Sequence, residues 1–162
     1  MDELVLQAEA LGRALKQQRE VLALAESCTG GMAACAITYT AGSSAWFDRG
    51  FVTYSNLSKI EMLGVSVETL DTLGAVSEQT AQEMALGALQ FSQATIAGSI
   101  TGIAGPSGGS RQKPVGTICF AWAHRDGRLK RSTQQFRGDR AQIRHQATEH
   151  IFLGLMAMLN QS

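Results

Sequence analysis

Proline, aromatic residues and long apolar runs are all scarce in this 162-residue sequence. With two prolines, 6% aromatic residues and no low-complexity tract, it lacks the composition of disordered and collagen-like chains. The longest apolar run, residues 151–159, is about half as long as a membrane-spanning helix. The sequence begins with acidic residues, whereas a signal peptide begins with basic ones. We therefore expect one soluble, cytoplasmic domain over residues 1–162, with no membrane contact.

Disulfide and metal-binding patterns are absent as well. The three cysteines, Cys28, Cys35 and Cys119, form no Cys-x-x-Cys motif and leave one thiol unpaired in any disulfide scheme. We expect reduced thiols in a reducing compartment. His145 and His150 are five residues apart and so lie on different faces of a helix, and no His-Glu-x-x-His motif occurs. The sequence thus predicts no metal site.

Net charge is also zero, with 14 basic and 14 acidic side chains, but the charges are unevenly placed. Residues 1–91 carry five basic and eleven acidic side chains, and residues 92–162 carry nine and three, so the halves have net charges of −6 and +6. A domain that binds a long polyanion is usually basic overall, so nucleic acid is disfavoured as a partner. A small phosphorylated ligand near the basic half remains open, as does self-association through oppositely charged faces.

Apolar periodicity indicates that helices and strands alternate along the chain. Residues 21–25 are a short continuous apolar run, which is typical of a buried parallel strand, and residues 50–55 and 95–101 predict further strands. Segments with helical spacing or helix-capping signals lie between and around these strands. The predicted helices are residues 4–15, 32–39, 57–63, 77–91 and 139–158.

The last third of the chain predicts an antiparallel hairpin. Residues 115–124 and 129–136 are both β-prone, and the segment between them contains Asp126-Gly127, a strong turn signal. Combined with the alternating helices and strands, this hairpin predicts a mixed sheet. We predict an α/β fold, a three-layer α/β/α sandwich with a mixed, mostly parallel sheet in a single domain.

Two glycine-rich turns follow predicted strands, where open α/β sheets bind their ligands. The first turn, residues 26–31, places Gly30 and Gly31 at a helix start, where unpaired backbone N–H groups suit an anion or an oxyanion. Ser27 or Thr29 is then a candidate nucleophile, although either hydroxyl can instead cap the helix.

The second glycine-rich turn covers residues 101–109. It matches neither a Walker A loop nor the G-x-G-x-x-G fingerprint of dinucleotide binding, so it gives no signal for ATP or NAD as a cofactor. Its glycines, with the hydroxyls of Thr101 and Ser107, form a candidate cradle for a phosphate or a carbonyl group. A purely structural loop is the alternative.

Tyr54 and Lys59 lie close together at a predicted strand end and the helix that follows. A lysine sheltered from water loses its proton more readily and can act as a general base on a serine. Ser27, Lys59 and Tyr54 thus form a candidate set of nucleophile, base and proton relay. Taken singly, Lys59 can instead be a solvated surface residue, and Tyr54 can instead be an aromatic residue at the edge of the core.

Three arginines, Arg137, Arg140 and Arg144, surround the start of the last predicted helix. Cations at a helix N-terminus oppose the helix dipole by about 0.3 to 1 kcal/mol each. A phosphate held by the helix N-terminus and these guanidinium groups would offset that cost. The alternative is that Asp139 and Glu149 neutralise the arginines.

Several short segments occur in a fixed order over nearly the whole chain. They are AESCTGG at 25–31, GSSAWF at 42–47, GFVTYSN at 50–56, Lys59, GAVSE at 74–78, TGIAGP at 101–106, GG at 108–109, KPVGT at 113–117 and FRGDR at 136–140. Each segment alone is weak evidence for a family, but their combined order along the chain is highly specific for one. In this order the chain resembles the CinA C-terminal domain family.

The resemblance implies an α/β/α fold, homo-oligomers and no cofactor. It also implies hydrolysis of the carboxamide of nicotinamide mononucleotide to nicotinic acid mononucleotide and ammonia. Ser27 is implied as the nucleophile, Lys59 as its base, and Tyr54 as the residue that positions or relays the proton. The residues implied in substrate binding, with the two arginines facing the phosphate, are Thr29, Gly30, Gly31, Asn56, Thr101, Gly102, Gly105, Arg140 and Arg144.

Two alternatives from other classes stay open. A noncatalytic nucleotide-binding or sensor domain would bind the same ligand without turnover, and the sequence does not separate it from the enzyme. A reductase with a Ser/Tyr/Lys set is less favoured, because it would need a nicotinamide cofactor and the dinucleotide fingerprint is missing.

Overall fold

The computed structural model describes residues 1–161, which form six α-helices, one short 3₁₀ helix and five strands. None of the helices in this range is both long and apolar enough to cross a membrane. The helices are α1 (Asp2–Gln18), α2 (Met32–Thr38), α3 (Asn56–Leu63), α4 (Val67–Leu73), α5 (Glu78–Gln90) and α6 (Arg140–Leu159), with the 3₁₀ helix at Ser43–Ala45. The strands are β1 (Leu22–Glu26), β2 (Phe47–Val52), β3 (Ile96–Gly102), β4 (Thr117–His124) and β5 (Leu129–Gln135).

The five strands form one mixed sheet in the order β2-β1-β3-β4-β5. Strand β1 pairs in parallel with both β2 and β3, while β4 runs antiparallel to both β3 and β5. Four of the five strands therefore point in the same direction. The predicted hairpin and the predicted three-layer α/β/α sandwich with a mostly parallel sheet are confirmed.

The two faces of the sheet carry side chains of different size. Because strand side chains alternate between faces, each strand contributes to both helical layers. The bulky side chains that pack against α1, α2 and α6 are Leu22, Leu24, Ile96, Ile100, Ile118, Phe120 and Trp122. The face that packs against α3, α4 and α5 carries mainly alanine, at Ala23, Ala25, Ala97, Ala121 and Ala123.

Two elements differ from the prediction. Strand β2 begins and ends three residues earlier than predicted. The prediction missed its start because β2 pairs on one side only and its apolar pattern is interrupted by Asp48 and Arg49. Ser55 lies outside the strand because its hydroxyl caps α3 and accepts the Ser58 N–H at 3.0 Å. Helix α4 was not predicted; Ser66 caps its N-terminus.

The start of α6 follows the prediction from its capping residue. Asp139 accepts the Gln142 N–H at 2.9 Å, and the Gln142 side chain accepts the Asp139 N–H at 2.8 Å, which together form a capping box. The predicted inner face of this helix is confirmed, since Ile143, Ile151 and Leu155 are among its buried residues.

One edge of the sheet brings several loops together. Because β1, β2 and β3 are parallel, their carboxyl ends meet at this edge, and the chain leaves them at Ser27, Thr53 and Ile103. The N-terminus of α6 reaches the same edge, where Arg140 donates a hydrogen bond to the Gly105 carbonyl at 2.7 Å. Ligands of open α/β sheets bind at edges of this kind.

Candidate active site

A cleft of about 310 Å³ opens at this edge. Its walls are the loop after β1, the segment between β2 and α3, and the glycine-rich loop after β3. Among its lining residues are eight that the sequence predicted for the site, namely Ser27, Tyr54, Asn56, Lys59, Thr101, Gly102, Gly105 and Arg140. The sequence did not predict Cys28 or Ala75 for the site. The remaining lining residues belong to the second glycine-rich turn, which was a candidate cradle as a whole, and they are Ile103, Ala104, Ser107 and Gly108.

The side chains of Ser27 and Lys59 meet at the bottom of the cleft. Lys59 Nζ lies 3.0 Å from Ser27 Oγ. Ser27 is 7% exposed and Lys59 only 1% exposed. This burial excludes the alternative that Lys59 is a solvated surface residue. The structure therefore joins a hydroxyl and an amine that lie 32 positions apart in the sequence.

The local fold explains why Lys59 points inward. Helix α3 begins after its N-cap Ser55, so Lys59 lies just beyond the first turn, on the same buried face as Leu63. Helical side chains slant toward the N-terminus of their helix. The Lys59 stem therefore runs back along α3 toward the carboxyl ends of β1 and β2.

The surroundings of Lys59 make its proton easier to lose than that of a lysine in water. Its Nζ donates hydrogen bonds to the carbonyls of Thr53, at 2.9 Å, and Tyr54, at 3.4 Å. Burial lowers the pKa of Lys59 below its ordinary value of 10.5. A protonated amine donates to all three of these oxygens, whereas a neutral amine donates to the two carbonyls and accepts the hydrogen of the Ser27 hydroxyl. The geometry thus suits an amine that accepts the serine proton.

Cys28 places a thiol next to this pair. Burial raises the pKa of Cys28 to about 12, so the thiol stays protonated near neutral pH. Since the thiolate is the nucleophilic form of cysteine, Cys28 is a poor nucleophile here. Of the two neighbouring side chains, only Ser27 has a base within hydrogen-bonding distance.

Tyr54 extends away from the serine and lysine side chains. Its side chain is largely exposed, at 62% for the residue, and its phenol oxygen accepts a hydrogen bond from Arg140 at 3.0 Å. The Tyr54 contact with Lys59 is made by its backbone carbonyl. Arg140 also donates to the Gly105 carbonyl, so its guanidinium bridges two walls of the cleft. The observed position of the phenol does not bring it into the predicted relay.

Four predicted site residues lie outside the cleft lining. Arg144 donates to the backbone carbonyls of Cys28, at 3.1 Å, and Thr29, at 3.0 Å, so its guanidinium holds the first loop. Thr29 is fully buried, and its hydroxyl donates to Glu26. Gly30 and Gly31 both have positive φ angles, which permit the tight turn into α2. Substrate binding by these four residues stays a prediction.

The second glycine-rich loop forms the opposite wall. Thr101 has its hydroxyl bound to the Ala75 carbonyl at 2.8 Å, so this hydroxyl is occupied by the protein. Gly105 has a φ of +79°, which glycine adopts without strain. Ser107 and Gly108 are exposed at the mouth of the cleft. This wall therefore presents backbone and small polar groups to a ligand.

Sequence analysis missed the part that Glu26 plays behind the cleft. This carboxylate is 1% exposed and accepts three hydrogen bonds from the first loop and from α2. A signal was present, because an acidic residue directly after a fully apolar run is unusual unless its charge is paired or hydrogen-bonded. Within residues 1–161, no group of three or more His, Cys, Asp or Glu side chains is arranged to hold a metal ion.

The fold and the cleft together define a class of protein, an α/β/α domain with a buried serine–lysine pair at the carboxyl edge of its parallel strands. Residues 6–159 match the CinA C-terminal domain. The chain belongs to the CinA C-terminal domain family, as the order of its sequence motifs indicated.

Curated relatives and solved structures agree with this membership. The chain is 53% identical over 160 residues to the nicotinamide-nucleotide amidohydrolase PncC of Escherichia coli (strain K12), which covers 99% of this chain and 97% of that protein. It is 59% identical over 137 residues to the PncC of Enterobacter agglomerans, covering 85% and 84% of the two chains. The crystal structure of the competence/damage inducible protein CihA from Agrobacterium tumefaciens superposes with a TM-score of 0.94 at 45% identity, covering 98% of this chain and 96% of that one.

Proposed function

We propose that this protein hydrolyses the carboxamide of nicotinamide mononucleotide, releasing nicotinic acid mononucleotide and ammonia. The observation that carries the proposal is the buried Lys59 amine 3.0 Å from the Ser27 hydroxyl, at the bottom of an open cleft. The names of the PncC relatives give the class of substrate. A serine and a neutral lysine supply the nucleophile and the base that amide hydrolysis needs.

The first half of the reaction forms an acyl-enzyme. Ser27 Oγ bonds to the carboxamide carbon as its proton passes to Lys59 Nζ. The backbone N–H of Cys28, the residue of this loop that lines the cleft next to Ser27, is the proposed donor to the negative oxygen of the tetrahedral intermediate. Lys59 then protonates the amide nitrogen, the carbon–nitrogen bond breaks, and ammonia leaves while the acyl group remains on Ser27.

The second half of the reaction hydrolyses the acyl-enzyme and regenerates the free Ser27 hydroxyl. Lys59, neutral again after giving up its proton, accepts one from a water molecule that attacks the ester carbon. The carbon–Oγ bond breaks and Ser27 takes the proton back from Lys59. The sum is one amide and one water converted to one carboxylic acid and one ammonia, with no net change in the protein.

Arg140 is the proposed phosphate ligand. It lines the cleft, and its recorded partners are the neutral Gly105 carbonyl and Tyr54 phenol rather than a carboxylate. A phosphate provides the negative charge that these partners lack and accepts two parallel N–H bonds from a guanidinium. Asn56 and Ser107 lie on the same cleft and are proposed to contact the ribose or the phosphate.

Ammonia release tests the proposal directly. We expect release from nicotinamide mononucleotide, much slower release from nicotinamide riboside, and none above background from glutamine or free nicotinamide. Ser27→Ala removes the nucleophile, so its ammonia release should fall to background while nicotinamide mononucleotide still binds in a calorimetric titration. Turnover by Ser27→Ala at a rate near that of the unaltered chain would exclude the serine mechanism.

One result would favour the alternative function. If the unaltered chain binds nicotinamide mononucleotide but releases no ammonia between pH 6 and 10, the protein is a nucleotide sensor rather than a hydrolase. If it binds neither this nucleotide nor its acid product, the proposed substrate class is wrong.

A further inference from the structure

Glu26 is the last residue of β1 and directly precedes Ser27. Its carboxylate is almost completely buried and lies outside the cleft lining. Oε1 accepts the Thr29 hydroxyl at 2.7 Å and the Ala33 N–H at 3.0 Å, and Oε2 accepts the Ala34 N–H at 3.0 Å. All the donors lie beyond the serine, in the loop and in the first turn of α2.

These contacts let Glu26 act in place of a helix cap. The N-cap of α2 is Gly31, which has no side chain to accept the free N–H groups of the first turn. Glu26 accepts two of them instead, and its negative charge at a helix N-terminus is favourable. One carboxylate therefore ties the end of β1 to the start of α2, across the five residues that include Ser27.

The serine is fixed on its other side by the sheet. The Ser27 N–H donates to the Ile100 carbonyl at 2.9 Å, which continues the pairing of β1 with β3. The Ser27 backbone is thus held by the sheet before the loop and by the Glu26 contacts after it. These contacts set the direction of the Ser27 Cα–Cβ bond, from which Oγ reaches a position 3.0 Å from Lys59 Nζ.

We propose that Glu26 and Thr29 are positioning residues that hold the Ser27 hydroxyl against Lys59. The proposal rests on the proposed function, because it assumes that Ser27 is the nucleophile. Glu26 itself exchanges no proton with substrate, since it lies outside the cleft and its oxygens are occupied by three donors. Glu26 instead reduces the range of positions that Ser27 can take. This restriction affects the rate at which Ser27 attacks the substrate rather than the affinity for the substrate.

Glu83 offers a matched control. Like Glu26, it accepts a backbone N–H and a threonine hydroxyl, from Ser66 at 2.8 Å and from Thr69 at 2.7 Å. This second cluster joins α4 to α5 and includes none of the residues that line the cleft. Thr69→Val therefore removes the same kind of hydrogen bond as Thr29→Val, but away from the serine.

The experiment measures Ser27 reactivity without the nucleotide. A fluorophosphonate probe forms a bond between Ser27 Oγ and phosphorus while fluoride leaves and Lys59 accepts the serine proton. We expect labelling to be about tenfold slower in Thr29→Val and about 100-fold slower in Glu26→Gln. Thr29→Ser keeps the hydroxyl and should label at nearly the rate of the unaltered chain, as should Thr69→Val.

Steady-state ammonia release adds a second measurement. Positioning predicts that kcat falls in Thr29→Val while KM stays within about twofold and the pH midpoint of kcat/KM does not move. Equal labelling of Thr29→Val and the unaltered chain would overturn the proposal, and so would a shifted pH midpoint, because it indicates acid–base chemistry at the cluster. If Glu26→Gln has a much lower melting temperature than the unaltered chain, the comparison of Thr29→Val with Thr29→Ser tests the proposal without it.

The two proposals fail in different ways. If the unaltered chain is labelled at Ser27, and more slowly in Thr29→Val, yet releases no ammonia from nicotinamide mononucleotide, the positioning role stands and the substrate is wrong. If the unaltered chain is not labelled at all, Ser27 is not an activated nucleophile, and both the mechanism and the positioning role are rejected.

Discussion

The floor and the rim of the cleft differ in burial and in how their polar groups are bonded. On the floor, Ser27 and Lys59 are nearly inaccessible to solvent and contact each other and backbone groups. On the rim, Tyr54 is mostly exposed, and Arg140 contacts a phenol and a carbonyl that a ligand can replace. The comparison separates a region suited to proton transfer from a region suited to recognition.

Solvent access explains this division. A buried amine loses the hydration that stabilises its charge, so its proton becomes available for chemistry at lower pH. An exposed guanidinium keeps its charge and can exchange one anionic or polar partner for another. Substitutions on the floor should therefore change kcat, and substitutions on the rim should change KM.

After loss of the nucleophile itself, the largest effect is expected for Lys59→Met, which keeps the length and apolar stem of the side chain but removes the amine. General bases contribute about 10²- to 10⁴-fold to catalysis, so kcat should fall by about 1,000-fold. KM for nicotinamide mononucleotide should change by less than about threefold, because the amine lies at the bottom of the cleft and away from the proposed phosphate ligand Arg140. Initial rates of ammonia release over a range of nucleotide concentrations measure both constants.

Thermal unfolding is the control for this variant. At pH 7 the burial of an amine with a lowered pKa opposes folding, and this penalty fades as the pH rises toward the ordinary value of 10.5. Methionine has no such penalty, although the Thr53 and Tyr54 carbonyls lose a donor. We expect a melting temperature within about 3 °C of the unaltered chain. An active Lys59→Met protein would remove the amine from the mechanism.

The pH dependence should report the same group. If the neutral amine is required, kcat/KM rises about tenfold per pH unit below the pKa of Lys59 and then levels off. Because burial lowers this pKa, the midpoint should lie below 10.5. Rate measurements from pH 6 to 10 test this. A rate that falls as the pH rises over that range in the unaltered chain would contradict a lysine base.

Much of the fold was predictable because its signals are local. The continuous apolar run that leads into β1, the Asp126-Gly127 turn and the Asp139 cap each depend on neighbouring residues alone. Strand β2 was misplaced because an edge strand pairs on one side and tolerates polar residues in its pattern. The register of β2 is set by its pairing with β1, and the residues of β2 alone give no signal for that pairing.

The sequence predicted which residues form the site better than it predicted where their side chains point. Motif order brought out Ser27 and Lys59, but their contact depends on parallel strands meeting at one edge and on the slant of α3 side chains. The direction of Tyr54, and the use of Arg144 to hold the first loop, depend on side-chain conformation. Spacing along the chain carries no information on either.

The smallest effects should come from the rim, where Arg140→Ala removes the proposed phosphate ligand. A hydrogen-bonded charge contributes about 1.5 to 3 kcal/mol, so KM for nicotinamide mononucleotide should rise by about 10- to 100-fold with kcat nearly unchanged. For nicotinamide riboside, which has no phosphate, the same substitution should change KM little. The ratio of the two KM values therefore isolates the contact between Arg140 and the phosphate.

Tyr54→Phe is the matched variant for this measurement, since it removes only the phenol oxygen that Arg140 contacts and keeps the backbone carbonyl that Lys59 contacts. If the phenol serves only to orient Arg140, KM for the nucleotide should rise by about two- to tenfold and kcat should stay constant. A fall in kcat for nucleotide and riboside alike would instead place the phenol in proton transfer during turnover. That outcome would mean that Tyr54 turns inward when substrate binds, and the separation between floor and rim would then break down during turnover.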